Sequence, residues 1–299
     1  MIIIHTAFRR RVEFIQDAVF PTSTSKVQMS DDGMWMMATG VYPPKLKMFD
    51  LSELTVKFER GLESEAVDFT FLSENWEKFV ILRDHRWMEF HSRHGKHYNM
   101  RMPLIGTCLV YNKPMCELYC GSIKNIVLRA NLEQGRYYAP YETGLDYITC
   151  CDTDRTHLLT SFGGINGIIE CWDPRQKQCI AKLDMFESIP SISPTPEISK
   201  LKYGTDGLTL AAGLSSGHIG VYDLRRQKPL HVLNHRNKLS IKDIAFHQQS
   251  SKIISCDAKT IRYWDQPTGE LYTVITPAEP INNFCVVENS GYICCTRTT

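Results

Sequence analysis

The chain predicts an all-β fold, a β-propeller of repeated four-stranded blades, on three observations. An aromatic-acid mark recurs at the ends of alternating apolar runs, its spacing is nearly constant, and hairpin turns rather than helical periods fill the intervals. The clear marks are "LKMFD" at 46–50, "IIECWD" at 168–173, "IGVYD" at 219–223 and "IRYWD" at 261–265; weaker copies are "WMEFH" at 87–91 and "IVLRAN" at 126–131. Their last residues, Asp50, His91, Asn131, Asp173, Asp223 and Asp265, stand 41, 40, 42, 50 and 42 residues apart. A period of ~40–45 residues is that of WD40-type blades, each too small to bury its own faces. The long interval holds "SIPSISPTPE" at 188–197, whose Ser and Pro content reads as an inserted surface loop.

Taken in order, residues 1–11 form a basic N-terminal segment containing Arg9-Arg10-Arg11, and 12–299 form the WD40-type propeller. Repeats fall near 27–50, 65–91, 106–131, 145–173, 198–223 and 240–265, with a partial one at 281–299. "VQMSDDGMWMMATG" at 27–40 reads as strand, turn at Asp32-Gly33, strand. "KLKYGTDGLTLAAG" at 200–213 repeats that plan around Asp206-Gly207, and "DIAFHQQSSKIISCD" at 243–257 is a third copy. D-G between β-prone runs is a hairpin signal because glycine takes the positive φ such turns need. Seven blades are expected, the last incomplete, with "VEFIQDAVF" at 12–20 as its outer strand, since an open ring leaves strand edges unpaired. Its third strand has no counterpart before Thr299, so either Met1–Thr6 replaces it or the sequence is a piece of a longer protein; the second is favoured.

Composition narrows the class. Of 299 residues 43% are hydrophobic and 22% charged, with a net charge of +1, which suits one large globular domain and leaves nucleic-acid binding to a local patch. The eleven cysteines are odd in number and contain no C-x-x-C, which excludes a zinc ribbon and a thioredoxin-type motif. With no N-x-S/T and no short apolar leader, the reading is a reducing, intracellular setting with buried free thiols. No run approaches the ~18 apolar residues of a membrane span, so no membrane partner is expected. "GGINGII" at 163–169 lacks the helix of a dinucleotide fingerprint and reads as a hairpin turn. No Walker A sequence occurs, and no cofactor, metal or small-molecule substrate is expected.

Several residues invite a chemical reading. The pairs Phe49-Asp50, Trp172-Asp173, Tyr222-Asp223 and Trp264-Asp265 serve as structural marks, the aromatic packing between sheets and the acid opening the turn to the outer strand. "IISCDAKTIRYWD" at 253–265 resembles the WD40 consensus, which implies a buried hydrogen-bonded tetrad of His235, Ser255, Asp257 and Trp264. Ser, His and Asp also compose a hydrolase triad, but the strained G-x-S-x-G elbow is absent. His91, His94 and His97 recur every three residues without the helix that would converge them on a metal. From Arg83 to Arg101 the cations Arg83, Arg86, Arg93, Lys96 and Arg101 exceed Asp84 and Glu89 by three; with Trp87 and Tyr98 interleaved they suit RNA phosphates and a stacked base. Arg175, in the turn after Asp173, is a further candidate contact.

Beyond the generic repeat, "VEFIQDAVFPTS", "MMATGVYPPKLKMFDLSELTVKFER", "MEFHSRHGKHYNMRMP" and "LYCGSIKNIVLRANLEQGRYYAPY" together resemble the nucleolar protein 10 / essential nuclear protein 2 family. "NLEQGRYY", read as a connection between blades, lies outside the WD40 consensus, where sequence is least dictated by fold. The resemblance covers about residues 9–295. It implies a non-enzymatic scaffold of the small-subunit processome in the nucleolus, supporting 18S rRNA maturation through processome proteins and precursor rRNA. The family's N-terminal strand is replaced here by "MIIIHTAF", and its long charged C-terminal region has no counterpart. An alternative reading rests on "WDPR" at 172–175 and "YDLR" at 222–225, a W-D-x-R pattern resembling substrate receptors of cullin-type ubiquitin ligases.

Overall fold

The computed structural model describes residues 18–188, 197–226, 228–287 and 293–297. Among the described residues, twenty-six strands lie in seven antiparallel sheets arranged as a propeller, with a 3-10 turn at Asp84–Arg86 and a four-residue helical turn at Met185–Ser188. Blade 1 is β1 (Thr24–Met29), β2 (Trp35–Gly40), β3 (Lys45–Asp50) and β4 (Thr55–Gly61). Blade 2 is β5 (Ala66–Phe71), β6 (Phe79–Arg83), β7 (Trp87–Ser92) and β8 (Gly95–Arg101); blade 3 is β9 (Gly106–Asn112), β10 (Glu117–Ser122), β11 (Ile126–Asn131) and β12 (Arg136–Glu142). Blade 4 comprises β13 (Ile148–Thr153), β14 (Thr160–Gly164), β15 (Ile168–Asp173) and β16 (Gln178–Asp184). Blade 5 comprises β17 (Ile198–Tyr203), β18 (Thr209–Leu214), β19 (His218–Asp223) and β20 (His231–Asn234). Blade 6 has β21 (Asp243–His247), β22 (Lys252–Cys256), β23 (Ile261–Asp265) and β24 (Leu271–Ile275). The seventh sheet has two strands among the described residues, β25 (Ile281–Val286) and β26 (Ile293–Arg297).

Burial explains the strand sequences. Second strands are covered on both sides: every residue of "FVILR" in β6 and of "TLAAGL" in β18 is buried, hence the absence of polar alternation. Outer strands such as β16 alternate between exposed and covered positions. Between blades lie separate apolar layers, for example Met37, Leu46, Phe69 and Ile81 between blades 1 and 2, and Ile169, Leu201, Leu210 and Tyr222 between blades 4 and 5. Some contacts are so close that only glycine fits: a Cβ on Gly163 would fall 2.7 Å from Cys150 Sγ and 2.9 Å from Ile198 Cγ2. Gly33 and Gly207 take φ of +70° and +68° in the D-G turns.

The first strand of each blade faces the centre and packs on the first strand of the next, with β25 packing on β1 to complete the circuit. Side chains on these strands bind the neighbouring backbone. Asp68 Oδ2 accepts from Leu109 N–H at 2.9 Å, Asp152 Oδ2 from Tyr203 N–H at 2.8 Å, and Asn283 Oδ1 from Val27 N–H at 3.1 Å. Thr107 and Thr149 sit at irregularities of β9 and β13 and donate to the carbonyls of Ile148 and Ile198 at 2.6 and 2.5 Å. Asn282 does the same toward Thr24 O at 2.8 Å. One rim of the disc carries the second-to-third-strand turns and the connections between blades; the other carries the remaining turns. On this second rim Asp31 of blade 1 meets Lys113 of blade 3 at 2.7 Å and Arg155 of blade 4 at 2.5 Å.

Two expectations change. Residues 18–20 of the anticipated outer strand 12–20 are not in a strand; Phe20 instead packs with Val27, Met36 and Phe49 of blade 1. Residues 1–17, including the basic segment 1–11 and Met1–Thr6, lie outside the described residues, as do 189–196 of the anticipated insertion. "NLEQGRYY" is not a connection between blades: it forms the β11–β12 turn and the start of outer strand β12, because the chain adds the outer strand to the same sheet after passing the mark.

Asn283 also donates to Asp243 Oδ2 at 2.6 Å. Asn283→Ala strips the partner from a buried N–H and should lower unfolding stability by about 1–3 kcal/mol, measured as a lower urea midpoint.

Candidate interaction surface

The tetrad is complete. His235 follows β20, Ser255 lies in β22, Asp257 in the turn after it, and Trp264 in β23. Trp264 Nε1–H donates to Ser255 Oγ at 2.9 Å, Ser255 Oγ lies 2.7 Å from His235 Nε2, and His235 Nδ1 lies 3.2 Å from Asp257 Oδ2. Burial lowers the His235 pKa, outweighing the pull of Asp257, so the ring is neutral. A neutral ring then donates from Nδ1 to Asp257 and accepts the Ser255 proton at Nε2, a tautomer assigned from the network. Asp257 Oδ1 further accepts the N–H groups of Lys259 and Thr260 at 2.7 and 2.6 Å. His235, Ser255 and Asp257 have no exposed surface, so Ser255 is a bonded core hydroxyl that no substrate reaches.

The blade marks divide their work between ring and carboxylate. Phe49, Trp172, Tyr222 and Trp264 are buried between sheets; Trp172 stacks on Tyr141 of blade 3 at 4.7 Å. Asp50, Asp173 and Asp223 each accept the N–H two residues on, from Ser52, Arg175 and Arg225 at 3.0, 2.8 and 3.0 Å, which fixes the turn to the outer strand. Asp265 pairs instead with Lys252 at 2.5 Å. Asn131 caps its turn through Gln134 N–H at 2.8 Å. His91 faces inward, stacked 5.0 Å from Phe79. The W-D-x-R arginines fold onto their own turns. Arg175 reaches Asp173 at 3.2 Å and His157 O at 3.2 Å. Arg225 grips Asp223 through two nitrogens, and with the Arg225 N–H it holds that carboxyl down at about 2.

The basic stretch 83–101 runs from the end of β6 through a 3-10 turn at Asp84–Arg86 into the hairpin β7–β8, whose alternation sends its residues to opposite faces. Met88, Phe90 and Met100 join the apolar layer toward blade 3. Arg83, Glu89, His91 and Lys96 lie on the side of blade 1, where Arg60 of β4 donates to Ser92 O at 3.1 Å. Arg83 is only 4% exposed and pairs with Glu63 at 2.9 Å and Glu89 at 3.1 Å. Lys96 pairs with the same two carboxylates at 3.0 and 2.7 Å. Arg86 is half-buried and donates weakly to Pro103 O at 3.4 Å. Arg93 and Arg101 are exposed, Arg101 lying over the Trp87 ring at 6.0 Å. The stretch is therefore largely an interblade ion network, with its open cationic surface reduced to Arg93, Arg101 and the edges of Lys96 and Arg86. His94 and His97 are exposed and apart from His91.

Two further buried glutamates escaped a reading along the chain. Glu117 takes Arg129 in a bidentate pair with contacts of 2.7 and 3.0 Å from Nη2, accepts Tyr119 OH at 2.8 Å, and sits beneath an arginine lying 4.4 Å over Tyr141. Glu170 takes Lys182 at 2.7 Å and Trp172 Nε1–H at 3.1 Å. Blades 2, 3 and 4 thus each bury one carboxylate, held by buried Arg83 and the more open Lys96 in blade 2, by buried Arg129 in blade 3 and by the exposed Lys182 in blade 4. The signal was the alternation itself, which places Glu117 and Tyr119 on one face. All eleven cysteines are free thiols; burial pushes Cys150 up to about 12 and Cys171 to about 11, so both stay protonated and unreactive.

Burial pushes Glu89 upward, but hydrogen bonds from His91 and Lys96 and the charge of Arg83 prevail and bring it from 4.5 to about 2. A depressed folded pKa means stability that is full above the unfolded value and lost as pH falls. Glu89 should therefore contribute up to ~3 kcal/mol at neutral pH, lost from pH 4.5 toward 2. Glu89→Gln should flatten the acid limb of a urea-midpoint titration over that window.

A family model described as nucleolar protein 10-like, N-terminal domain, matches residues 3–299. Nucleolar protein 10 of Xenopus laevis is 38% identical over 289 residues, covering 95% of this chain and 42% of the relative. The human protein of that name gives the same figures, 38% over 289 residues, 95% and 42%. The ribosome biogenesis protein enp2 homolog of Schizosaccharomyces pombe is 34% identical over 301 residues, covering 96% of this chain and 48% of the relative. The chain thus spans less than half the length of these relatives. A match over residues 3–299 places the chain in the nucleolar protein 10-like family as its N-terminal β-propeller domain.

Proposed function

We propose that the chain is a non-enzymatic scaffold that works in the nucleolus, within the small-subunit processome, and supports 18S rRNA maturation. The observation that carries this reading is family membership over nearly the full chain, among relatives named for ribosome biogenesis and for the nucleolus. The architecture suits the role. Sheets tied through their inner strands make a stiff disc whose two rims and outer edges can hold several partners at once. The tetrad that resembles a triad is fully bonded inside blade 6, which leaves recognition as the work of the surface.

Its partners in this reading are processome proteins and precursor rRNA. Contacts with rRNA fall to the exposed cations, Arg93 and Arg101, the latter over the Trp87 ring, then Lys96, Arg86 and the turn residue Arg175. Arg83, held between two carboxylates, serves the fold.

Arg93→Glu with Arg101→Glu leaves the buried ion network in place. In cells expressing tagged protein this pair should lower co-sedimentation with pre-ribosomal particles by at least about threefold, with a shallower salt dependence of the residual binding. Wild-type sedimentation of the variant would remove the RNA assignment. Absence of the unaltered protein from pre-ribosomal fractions would remove the scaffold reading.

A further inference from the structure

On the rim that carries the connections, each of blades 1 to 5 presents two residues at an equivalent place. A backbone hydrogen bond joins the first residue of the second-to-third-strand turn to the residue that leads into the first strand. It runs from Val41 N to Ser23 O at 3.1 Å in blade 1, Asp84 N to Glu65 O at 3.1 Å in blade 2 and Ile123 N to Ile105 O at 3.2 Å in blade 3. In blade 4 it runs from Ile165 N to Tyr147 O at 3.2 Å, and in blade 5 from Ser215 N to Glu197 O at 2.9 Å. The same scaffold position thus carries five different chemistries, and their order around the ring is informative.

Both members are large and apolar in blades 3 and 4. Ile105, Ile123 and Ile165 are each 41% exposed, and Tyr147 is half-buried beside them. The flanking positions are acidic. Glu65 and Asp84 are exposed on the blade 2 side, Glu197 is half-exposed on the blade 5 side, and exposed Asp146, held by Asn166 at 2.7 Å, lies between the two apolar pairs. The nearby cations are Lys124, in the turn beside Ile123, His85, 3.6 Å from Asp84, half-buried Arg86, turned to Pro103 O, and Lys182, which is paired with the buried Glu170 at 2.7 Å. Three isoleucines left open on adjacent turns are not needed by the blades, whose layers close beneath them. On the opposite rim the exposed large apolar side chains among the described residues are Met34 and Leu230, from blades 1 and 5.

We infer that the rim of blades 3 and 4 docks a protein segment with an apolar centre and basic residues at both ends, its centre on Ile105, Ile123, Tyr147 and Ile165 and its cations facing Glu65, Asp84 and Glu197. Charge complementarity selects this occupant: carboxylates on both flanks repel a phosphate backbone and draw lysine or arginine. The apolar centre supplies affinity, and the acidic flanks set orientation and encounter rate. This deepens the scaffold reading, on which it rests, by naming where a protein partner sits and what it looks like.

The probe is a fluorescein-labelled peptide of about ten residues, leucine-rich at its centre with lysines at both ends, titrated against the full chain by anisotropy. Controls are the same centre with glutamate ends, and an oligouridylate. The lysine-ended peptide should bind and the controls should not compete for it. Ile123→Asp with Ile165→Asp should weaken it by at least about tenfold at an unchanged thermal midpoint, and Ile123→Leu with Ile165→Leu should restore it. Glu65→Lys with Asp84→Lys should weaken it by about fivefold and improve the glutamate-ended peptide. Affinity indifferent to the aspartate pair, or oligouridylate displacing the peptide, would overturn the assignment. Sedimentation separates the two readings. If the unaltered protein joins pre-ribosomal particles and the peptide ignores Ile123 and Ile165, the surface is wrong and the scaffold stands. If the peptide result holds and the unaltered protein joins no particle, the scaffold fails and the docking surface stands.

Discussion

Everything in this molecule depends on the need of each sheet for a neighbour on both faces. A single blade has two apolar surfaces and a core too thin to hold by itself, so stability comes from circular contact. The apolar layers supply the attraction but, being non-directional, leave some freedom of register. The inner-strand side chains remove that freedom. Asp68, Asp152 and Asn283 each bind one chosen N–H of the next blade, and Thr107, Thr149 and Asn282 each bind one chosen carbonyl. Such bonds are short, buried and directional, so they fix register where hydrophobic packing alone would not.

The periodicity made the architecture legible, because blade marks need an aromatic to fill the space between sheets and a short acceptor to hold the following turn. Phe49-Asp50, Trp172-Asp173 and Tyr222-Asp223 meet both needs. His91 marks the same place with a different solution, stacking inward instead of capping, and is correspondingly weak as a signal. The phase of the sheets was harder to read. A repeat ends at the mark while the blade continues for one more strand, which is why the segment after Asn131 belongs to blade 3 and not to a connection.

The surface was less legible for a physical reason. Charge counted along the chain ignores what stands opposite each residue: the pairing puts Arg83, Lys96 and Arg101 on the same face of the sheet as Glu89 and His91. Arg83 and Lys96 turned to Glu63 and Glu89, partners 20 and 33 positions away for the Glu63 pairs. Glu117–Arg129 and Glu170–Lys182 follow the same rule of one buried carboxylate held by a cation from a neighbouring strand. Removing one member of such a pair strands the other in the core, so these charges specify the packing more than they strengthen it.

Asp31 has a different reach. Its partners come from blades 3 and 4, so its two ion pairs cross the mouth of the central opening rather than joining adjacent sheets. In mechanical terms it is a strut across the hub. A ring held only at its seams can flatten into an oval under a sideways load, since each seam hinges slightly. A cross-brace converts that bending into stretching of charged contacts, which resist it. Load applied at blade 4 thereby has a route to blade 1 that bypasses the circumference, a weak one because Arg155 is open to water.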